Sequence, residues 1–191
     1  MASNLLSKEI LESVKQYTEN LKKPVELVLH KGEHPKRQEL YDFLLGLSEV
    51  SDRVEFKEEE LASLRSPITF ELRSNDQPSG ILFSGIPSGH EFNSLILAIL
   101  QTGGSEIKLD ESIKKAIQSI EEELHFEVFV SLSCHNCPEI VQTLNQFSLL
   151  NPKIKSEMID GGLFQEIIEE RGIQGVPSVY MNGEVFANGK V

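Results

Sequence analysis

The chain has 191 residues, a length that fits one large domain or two small ones. Its 30 acidic residues outnumber 18 basic ones, and the formal net charge of −12 does not suit binding to a nucleic-acid backbone. A composition that is 39% hydrophobic and 25% charged excludes general disorder. The longest apolar run, 95–100, is too short for a membrane helix, which needs about 20 residues, and no charged and apolar leader opens the chain. We therefore expect a soluble, cytoplasmic protein that binds neither nucleic acid nor a membrane.

The first half of the chain predicts two helices, several short strands and a third helix. Apolar residues, Tyr17 among them, recur every three or four positions from Asn4 to Lys22, and Pro24 ends this helix. A strand and a second helix follow. The expected elements are the strand 25–30, the helix from Pro35 to 47, the strands 54–56, 68–72 and 81–83, of which the last two form a hairpin, and the helix 89–101.

The second half predicts the same kinds of element in the same order. The expected elements are the helix 110–124, the strand 126–130, the helix 138–150, the strand 154–159, the helix 164–170 and the strands 176–181 and 184–186, which flank the turn Asn182-Gly183.

The order helix, strand, helix, strand, hairpin therefore occurs twice, about 100 residues apart. This repeat predicts an α/β protein of two tandem units, residues 1–104 and 105–191, each a mixed central sheet flanked by helices. A single large α/β domain is the alternative. The counterpart of the 89–101 helix would begin after Val191, so we expect the second unit to lack its last helix or the chain to be a fragment.

Both cysteines lie in the segment Cys134-His135-Asn136-Cys137, after a predicted strand and at the start of a helix. In a βαβ context this C-x-x-C spacing is typical of a redox-active dithiol. The positive end of the helix dipole stabilises a thiolate, so Cys134 is the expected nucleophile and Cys137 the resolving cysteine. His135 either stabilises the thiolate or is a solvated loop residue.

Two structural interpretations of the cysteines stay open. A zinc site normally needs four ligands, and only one C-x-x-C is present. A purely structural disulfide would close a very short loop and remove little entropy from the unfolded chain. The other histidines have no partner pattern, and we interpret them as structural or surface residues; they are His30, His34, His90 and His125.

Several longer motifs resemble the bacterial alkyl hydroperoxide reductase flavoprotein subunits, within the thioredoxin and glutaredoxin superfamily. The motifs are Lys23–Leu27, Gly85–Leu95, Ser131–Pro138, Asn151–Ile154, Met158–Gly162 and Gly175–Pro177. The resemblance covers essentially the whole chain and implies the N-terminal domain of that family, which has tandem thioredoxin-like folds. It also implies a cis peptide bond between Val176 and Pro177, beside the cysteine pair.

The resemblance further implies a function in electron transfer. In that family, electrons pass from NADH through FAD, in a separate reductase portion, to the C-x-x-C of the N-terminal domain. The dithiol then reduces the disulfide of a 2-Cys peroxiredoxin. We therefore expect no cofactor in this chain, FAD and NADH in a missing C-terminal portion, and a peroxiredoxin and the flavoprotein reductase portion as partners.

Glu91 matches an acidic residue that takes part in proton transfer near the disulfide in that family. Thioredoxins usually carry a buried acid six residues before the first cysteine, where this chain has Val128. Another base is therefore needed to take the proton of Cys137. The alternative is that Glu91 is an ordinary carboxylate in the first turn of a helix.

Two rival functions remain at this point. A general protein disulfide oxidoreductase with tandem folds often carries C-x-x-C in both folds, whereas here residues 1–104 contain no cysteine. The other rival is a metal-binding or peptide-binding module in which the cysteines are incidental. The sequence favours a dedicated electron shuttle.

Overall fold

The computed structural model describes residues 5–189, and these residues form an α/β structure. The helices are α1 (Lys8–Thr18), α2 (Arg37–Glu49), α3 (Phe92–Thr102), α4 (Glu111–Gln118), α5 (Cys137–Leu150) and α6 (Gln165–Glu170), and a 3-10 turn, Gly89–Glu91, leads into α3. The strands are β1 (Val25–His30), β2 (Val54–Glu59), β3 (Thr69–Ser74), β4 (Gln77–Ser84), β5 (Leu124–Val130), β6 (Ile154–Asp160), β7 (Ser178–Met181) and β8 (Glu184–Asn188).

All eight strands of the described residues belong to one mixed sheet, in the order β2-β1-β3-β4-β6-β5-β7-β8. Each half of this order is a copy of the other: a parallel pair is followed by two antiparallel neighbours. The halves join where β4 pairs in parallel with β6, from Ile81 opposite Ser156 to Ser84 opposite Ile159. The predicted repeat is therefore confirmed, and its two sheets are fused edge to edge.

The main hydrophobic core runs through both halves of the sheet. It contains Phe43 and Phe83 from the first repeat and Val128 and Val141 from the second, all fully buried. The helix that begins at Cys137 packs against β4, β6 and α3, so its contacts extend into the first repeat. The division into residues 1–104 and 105–191 stays a prediction.

The first helix is shorter than predicted. Its predicted start at Asn4 lies outside the described residues; the Ser7 hydroxyl caps α1 by accepting from the Ile10 N–H, at 3.2 Å. After Thr18 the chain leaves the helix, because the N–H groups of Lys22 and Lys23 donate to the Gly103 carbonyl instead. Tyr17, predicted on the apolar face, is 62% exposed, so that assignment was wrong.

The fourth helix also ends earlier than its apolar pattern predicts. It stops at Gln118, and Leu124 begins β5 rather than ending a helix. The side-chain amide of Asn151 donates to the carbonyls of Ile117 and Ile120, each at 2.9 Å. These bonds satisfy carbonyl groups at the C-terminal end of α4. The helix can therefore stop at Gln118, although the apolar periodicity of the sequence continues to Leu124.

Candidate active site

The two cysteines form a disulfide at the N-terminus of α5. Cys134 is half-buried and lies in the loop after β5, whereas Cys137 is the fully buried first residue of α5. Their Cα atoms are 5.6 Å apart. Pro138 takes a first-turn position, where its missing N–H leaves no bond unmade. Cys134 is thus the more exposed of the two residues, and its role as the nucleophile stays a prediction.

The segment before β7 lies beside this disulfide. The peptide bond between Val176 and Pro177 is cis, as the resemblance implied. The carbonyl oxygen of Val176 is 4.0 Å from the Sγ of Cys134. Ser178 then begins β7 and pairs with Phe129 of β5, the strand that leads to the cysteine loop. The two segments therefore meet at the same edge of the fold.

Glu91 is the last residue of the 3-10 turn before α3, and it is fully buried. Neither carboxyl oxygen has a hydrogen bond of normal geometry. Burial raises the pKa of Glu91 to about 7, although the nearby Ser94 hydroxyl acts in the opposite direction. A carboxyl group with this pKa can both accept and release a proton near neutral pH.

The 3-10 turn that ends at Glu91 lies directly against the cysteine loop. The His90 N–H donates to the carbonyl oxygen of Leu132 at 2.9 Å. Gly89 has a positive φ of 56°, and a Cβ there would lie 2.7 Å from the same oxygen. The turn also contacts α5. The first repeat thus brings Glu91 to the side of the molecule that carries the C-x-x-C, while its role in proton transfer stays a prediction.

The His135 ring, between the two cysteines, packs edge to face on the His90 ring, with centroids 4.3 Å apart. Both side chains are exposed. His90 is thus a surface residue, as interpreted from the sequence, and its contact with His135 was not predicted. A sequence signal did mark this segment, because the Gly-His-Glu tripeptide belongs to a motif that carried the resemblance. The effect of His135 on the thiolate stays a prediction.

A buried ionic cluster, missed in the sequence, joins the two repeats on the other side of the sheet. Arg65, in the loop between β2 and β3, pairs with Glu127 of β5 and Glu157 of β6. Burial alone would raise the pKa of Glu157, but hydrogen bonds from His125 and Arg65 outweigh it and lower the pKa to about 2. Ser84 also donates to Glu157, at 2.6 Å. Acidic residues inside otherwise apolar strands were the signal for this cluster.

The described residues include no group of three or more histidine, cysteine, aspartate and glutamate side chains that could hold a metal ion. In the same part of the chain, no helix is both long and apolar enough to cross a membrane. The two sulfurs bond to each other. A bonded C-x-x-C pair at the start of a helix is the arrangement that thiol-disulfide exchange uses.

Two comparisons of the sequence with known proteins agree. The sequence model of a thioredoxin domain family matches residues 124–191. The F subunit of alkyl hydroperoxide reductase from Escherichia coli (strain K12) is 42% identical over 187 residues, which are 98% of this chain and 36% of that protein. The chain thus spans about a third of the length of the curated relatives it matches.

Solved structures agree with the sequence comparison. The NTD_N/C domain of alkylhydroperoxide reductase AhpF from Enterococcus faecalis (V583) is 28% identical, with a TM-score of 0.87 over 97% of this chain and 95% of that one. A protein disulfide oxidoreductase from Aeropyrum pernix is 21% identical, with a TM-score of 0.82 over 98% and 88% of the two chains, and it supports the fold alone. The resemblance of the motifs to the N-terminal domain of the alkyl hydroperoxide reductase flavoprotein subunits is thus confirmed.

Proposed function

We propose that this chain, whose sequence and fold match the N-terminal region of the alkyl hydroperoxide reductase AhpF, relays electrons to the disulfide of a 2-Cys peroxiredoxin. The chain is a thioredoxin-like thiol-disulfide oxidoreductase module with a C-x-x-C pair. The observation that supports the proposal is the disulfide at the start of α5, a helix that is also contacted by the turn ending at the buried Glu91.

The reaction begins with the reduced pair. The Cys134 thiolate attacks one sulfur of the partner's disulfide, which forms a mixed disulfide and releases one partner thiolate. Cys137 then gives its proton to Glu91, and its thiolate attacks the Cys134 sulfur. The internal disulfide closes and the second partner thiolate leaves. The pair loses two electrons, the partner gains them, and protons from Glu91 and solvent complete the two partner thiols.

Glu91 suits the role of proton acceptor for Cys137. An ordinary cysteine thiol has a pKa of about 8.5, and the pKa of Glu91 is about 7. The proton transfer is therefore less unfavourable than transfer to a carboxylate with the ordinary pKa of 4.5, and the thiolate it produces is consumed by disulfide formation. Cys137 is fully buried, so bulk water is a poor acceptor for its proton.

Regeneration of the dithiol requires a reductant. In the proposal, this is a flavoprotein portion that holds FAD and takes electrons from NADH, outside the residues described. The curated relatives are long enough to contain such a portion, since the chain covers 36% of the Escherichia coli protein. We place the whole system in the cytoplasm, where exposed dithiols are kept reduced.

Mixed-disulfide trapping and a coupled assay test the proposal together. The chain is mixed with a 2-Cys peroxiredoxin, a flavoprotein reductase and peroxide, and NADH consumption is recorded. We expect Cys134→Ser and Cys137→Ser each to abolish turnover, and only Cys137→Ser to accumulate a mixed disulfide on non-reducing gels. Equal trapping by both variants would reverse the assigned roles. NADH consumption that does not depend on the chain, or that is as fast with an unrelated protein disulfide, would contradict a dedicated peroxiredoxin shuttle.

A further inference from the structure

His90 and His135 form an exposed pair of rings beside the disulfide, with one ring from each repeat. His135 directly follows Cys134, and its ring centroid lies 4.3 Å from that of His90. Within residues 5–189, neither ring takes part in a hydrogen bond or an ion pair. Each of the other three histidine rings has a hydrogen-bond partner. The ring nitrogens of this pair therefore remain available to a molecule that binds at the disulfide.

The position of the His90 ring is fixed before any partner binds. The His90 N–H donates to the Leu132 carbonyl, in the cysteine loop, at 2.9 Å. The side-chain amide of Gln142, on α5, donates to the buried Ser94 hydroxyl oxygen, on α3, at 3.1 Å. This bond ties the helix that follows the His90 turn to the helix that carries the cysteines. Little loop entropy is then lost when a partner covers the two rings, and such preorganisation favours binding.

A protein that docks on Cys134 covers both rings. Consecutive Cα atoms are about 3.8 Å apart, so even a fully extended path through His135 places the centre of the His90 ring within about 15 Å of the Cys134 sulfur. A protein complex of standard size buries about 800 Å² on each partner, which is a patch about 16 Å in radius. A partner whose disulfide reaches this sulfur therefore contacts the first repeat at His90.

The two imidazoles supply a contact that the rest of this surface lacks. The segments 85–95 and 131–142 contain no lysine or arginine, so the imidazoles are the only side chains in them that can carry a positive charge. Each ring also presents an apolar body and a polar edge. A partner segment with carbonyl or carboxylate oxygens beside its disulfide fits such a pair.

We infer that His90 is a specificity-determining residue: together with His135, it binds the segment that flanks the disulfide of the partner. The inference rests on the proposed function, in which this partner is a 2-Cys peroxiredoxin. It gives the first repeat, which has no cysteine, a direct part in the choice of partner. His90 lies outside residues 124–191, which match the thioredoxin family model, so a single fold of that kind lacks this contact.

The test compares a large and a small disulfide in single turnovers of the pre-reduced full chain. The chain is mixed with an excess of oxidised 2-Cys peroxiredoxin or of hydroxyethyl disulfide, and the loss of its free thiols is followed by quenching and alkylation. We expect His90→Ala to raise the half-saturating peroxiredoxin concentration about fivefold, with an unchanged limiting rate, because an interface side chain is lost. The rate with hydroxyethyl disulfide should stay the same, since this molecule is too small to span both rings.

A double-mutant cycle tests whether the two rings act as a unit. His135→Ala should weaken peroxiredoxin binding in the same way, when its rate is taken relative to that with hydroxyethyl disulfide. The double variant should lose less than the product of the two single losses, because the rings contact each other. If His90→Ala folds poorly, His135→Ala, at an exposed position of the cysteine loop, provides the same comparison.

His34→Ala is the matched control, since it removes the same kind of side chain from the same repeat. His34 lies in the loop after β1, and its Nδ1 accepts from the Lys36 N–H at 3.0 Å. The strands β3, β4 and β6 separate β1 from β5, the strand that leads to the cysteines, so four spacings put them about 19 Å apart. This distance lies outside the patch around Cys134, and we expect both disulfides to react with His34→Ala as with the unaltered chain.

An unchanged half-saturating concentration in His90→Ala overturns the inference. Equal slowing with both disulfides also overturns it, because His90 would then act on the reactivity of Cys134 and not on the partner. A loss in His34→Ala as large as that in His90→Ala does the same. Failure of the proposed function shows in a different measurement: the unaltered chain would then reduce the peroxiredoxin no faster than an unrelated protein disulfide.

Discussion

Ionisation of the buried Glu91 carboxyl group lowers the stability of the folded chain as the pH rises through neutrality. Its ordinary pKa is 4.5, and burial raises it to about 7 in the folded chain. The folded state therefore favours the protonated form. Stability from this group is fully present below pH 4.5 and is lost as the pH rises through 7, because the folded chain must then give up a proton that it holds more tightly than the unfolded chain does.

Glu91→Gln should consequently make the chain more stable at pH 8 than at pH 4, relative to the unaltered chain. Glutamine mimics the neutral carboxyl group, so the gain at pH 8 should be about 3 kcal/mol, and near zero at pH 4. Urea unfolding followed by circular dichroism at the two pH values measures it. Glu139→Gln, at an exposed position of α5, is the control and should change neither value. A gain of the same size at both pH values would contradict a raised pKa.

At this scale the sequence predicts the reactive groups but not what holds them. Cys134, Cys137 and Pro177 follow from spacing and resemblance. Ser94 and Gln142 do not, because their hydrogen bond joins positions 48 residues apart, and neither helical pattern says which side chains of two packed helices meet. The partner of His135 was hidden for the same reason.

Among the elements, the 3-10 turn has the most specific requirement. It must approach the cysteine loop so closely that the His90 N–H reaches the Leu132 carbonyl. Gly89 permits this approach in two ways: it has a positive φ, and it lacks a Cβ that would lie 2.7 Å from that oxygen. The sequence pattern predicts one continuous helix over 89–101, because a single 3-10 turn does not alter the apolar periodicity.

Gly89→Ala should therefore destabilise the chain more than an alanine at an equally left-handed but open position. Gly172 has a φ of 63°, and a Cβ at that position would have no atom within 4 Å, so Gly172→Ala should cost only the backbone term of about 1 to 2 kcal/mol. Gly89→Ala should cost at least twice as much. It should also slow disulfide exchange, since the turn that carries Glu91 would move away from the loop. Equal losses in urea unfolding would show that the contact with Leu132 contributes nothing.

For the whole molecule, the repeat predicts two similar mixed sheets but not how they join. In the structure, residues 81–84 of β4 and 156–160 of β6 are buried on both faces, as is typical of central strands, but residues 156–160 are too polar in sequence to indicate this. The pairing of β4 with β6 depends on which of several apolar sheet edges meet. Arg65 contributes to this choice, because it reaches from the first repeat to two buried carboxylates of the second.

The pairing of Arg65 makes a last prediction about the two repeats and pH. Arg65→Met leaves Glu127 and Glu157 with fewer partners in a buried site, so unfolding free energy at pH 7 should fall by about 3 kcal/mol. The pKa of Glu157 is about 2 in the folded chain, below its ordinary value, so its stabilising contribution is present above pH 4.5 and is lost as the pH falls toward 2. In the variant the carboxyl groups should protonate at higher pH, and the difference from the unaltered chain should shrink at pH 3.

Arg73→Met is the matched control for this change. Arg73 also bridges two glutamates, Glu59 and Glu71, but both lie in the first repeat and the Glu59 side chain is 37% exposed. Solvent screens the pair with Glu59, whereas both partners of Arg65 are almost fully buried, so the loss should be smaller in Arg73→Met and should depend less on pH. Urea unfolding at pH 7 and pH 3 compares the two variants. If Arg65→Met behaved like Arg73→Met at both pH values, the buried cluster would not be what holds the second repeat, and with it the cysteine helix, against the first.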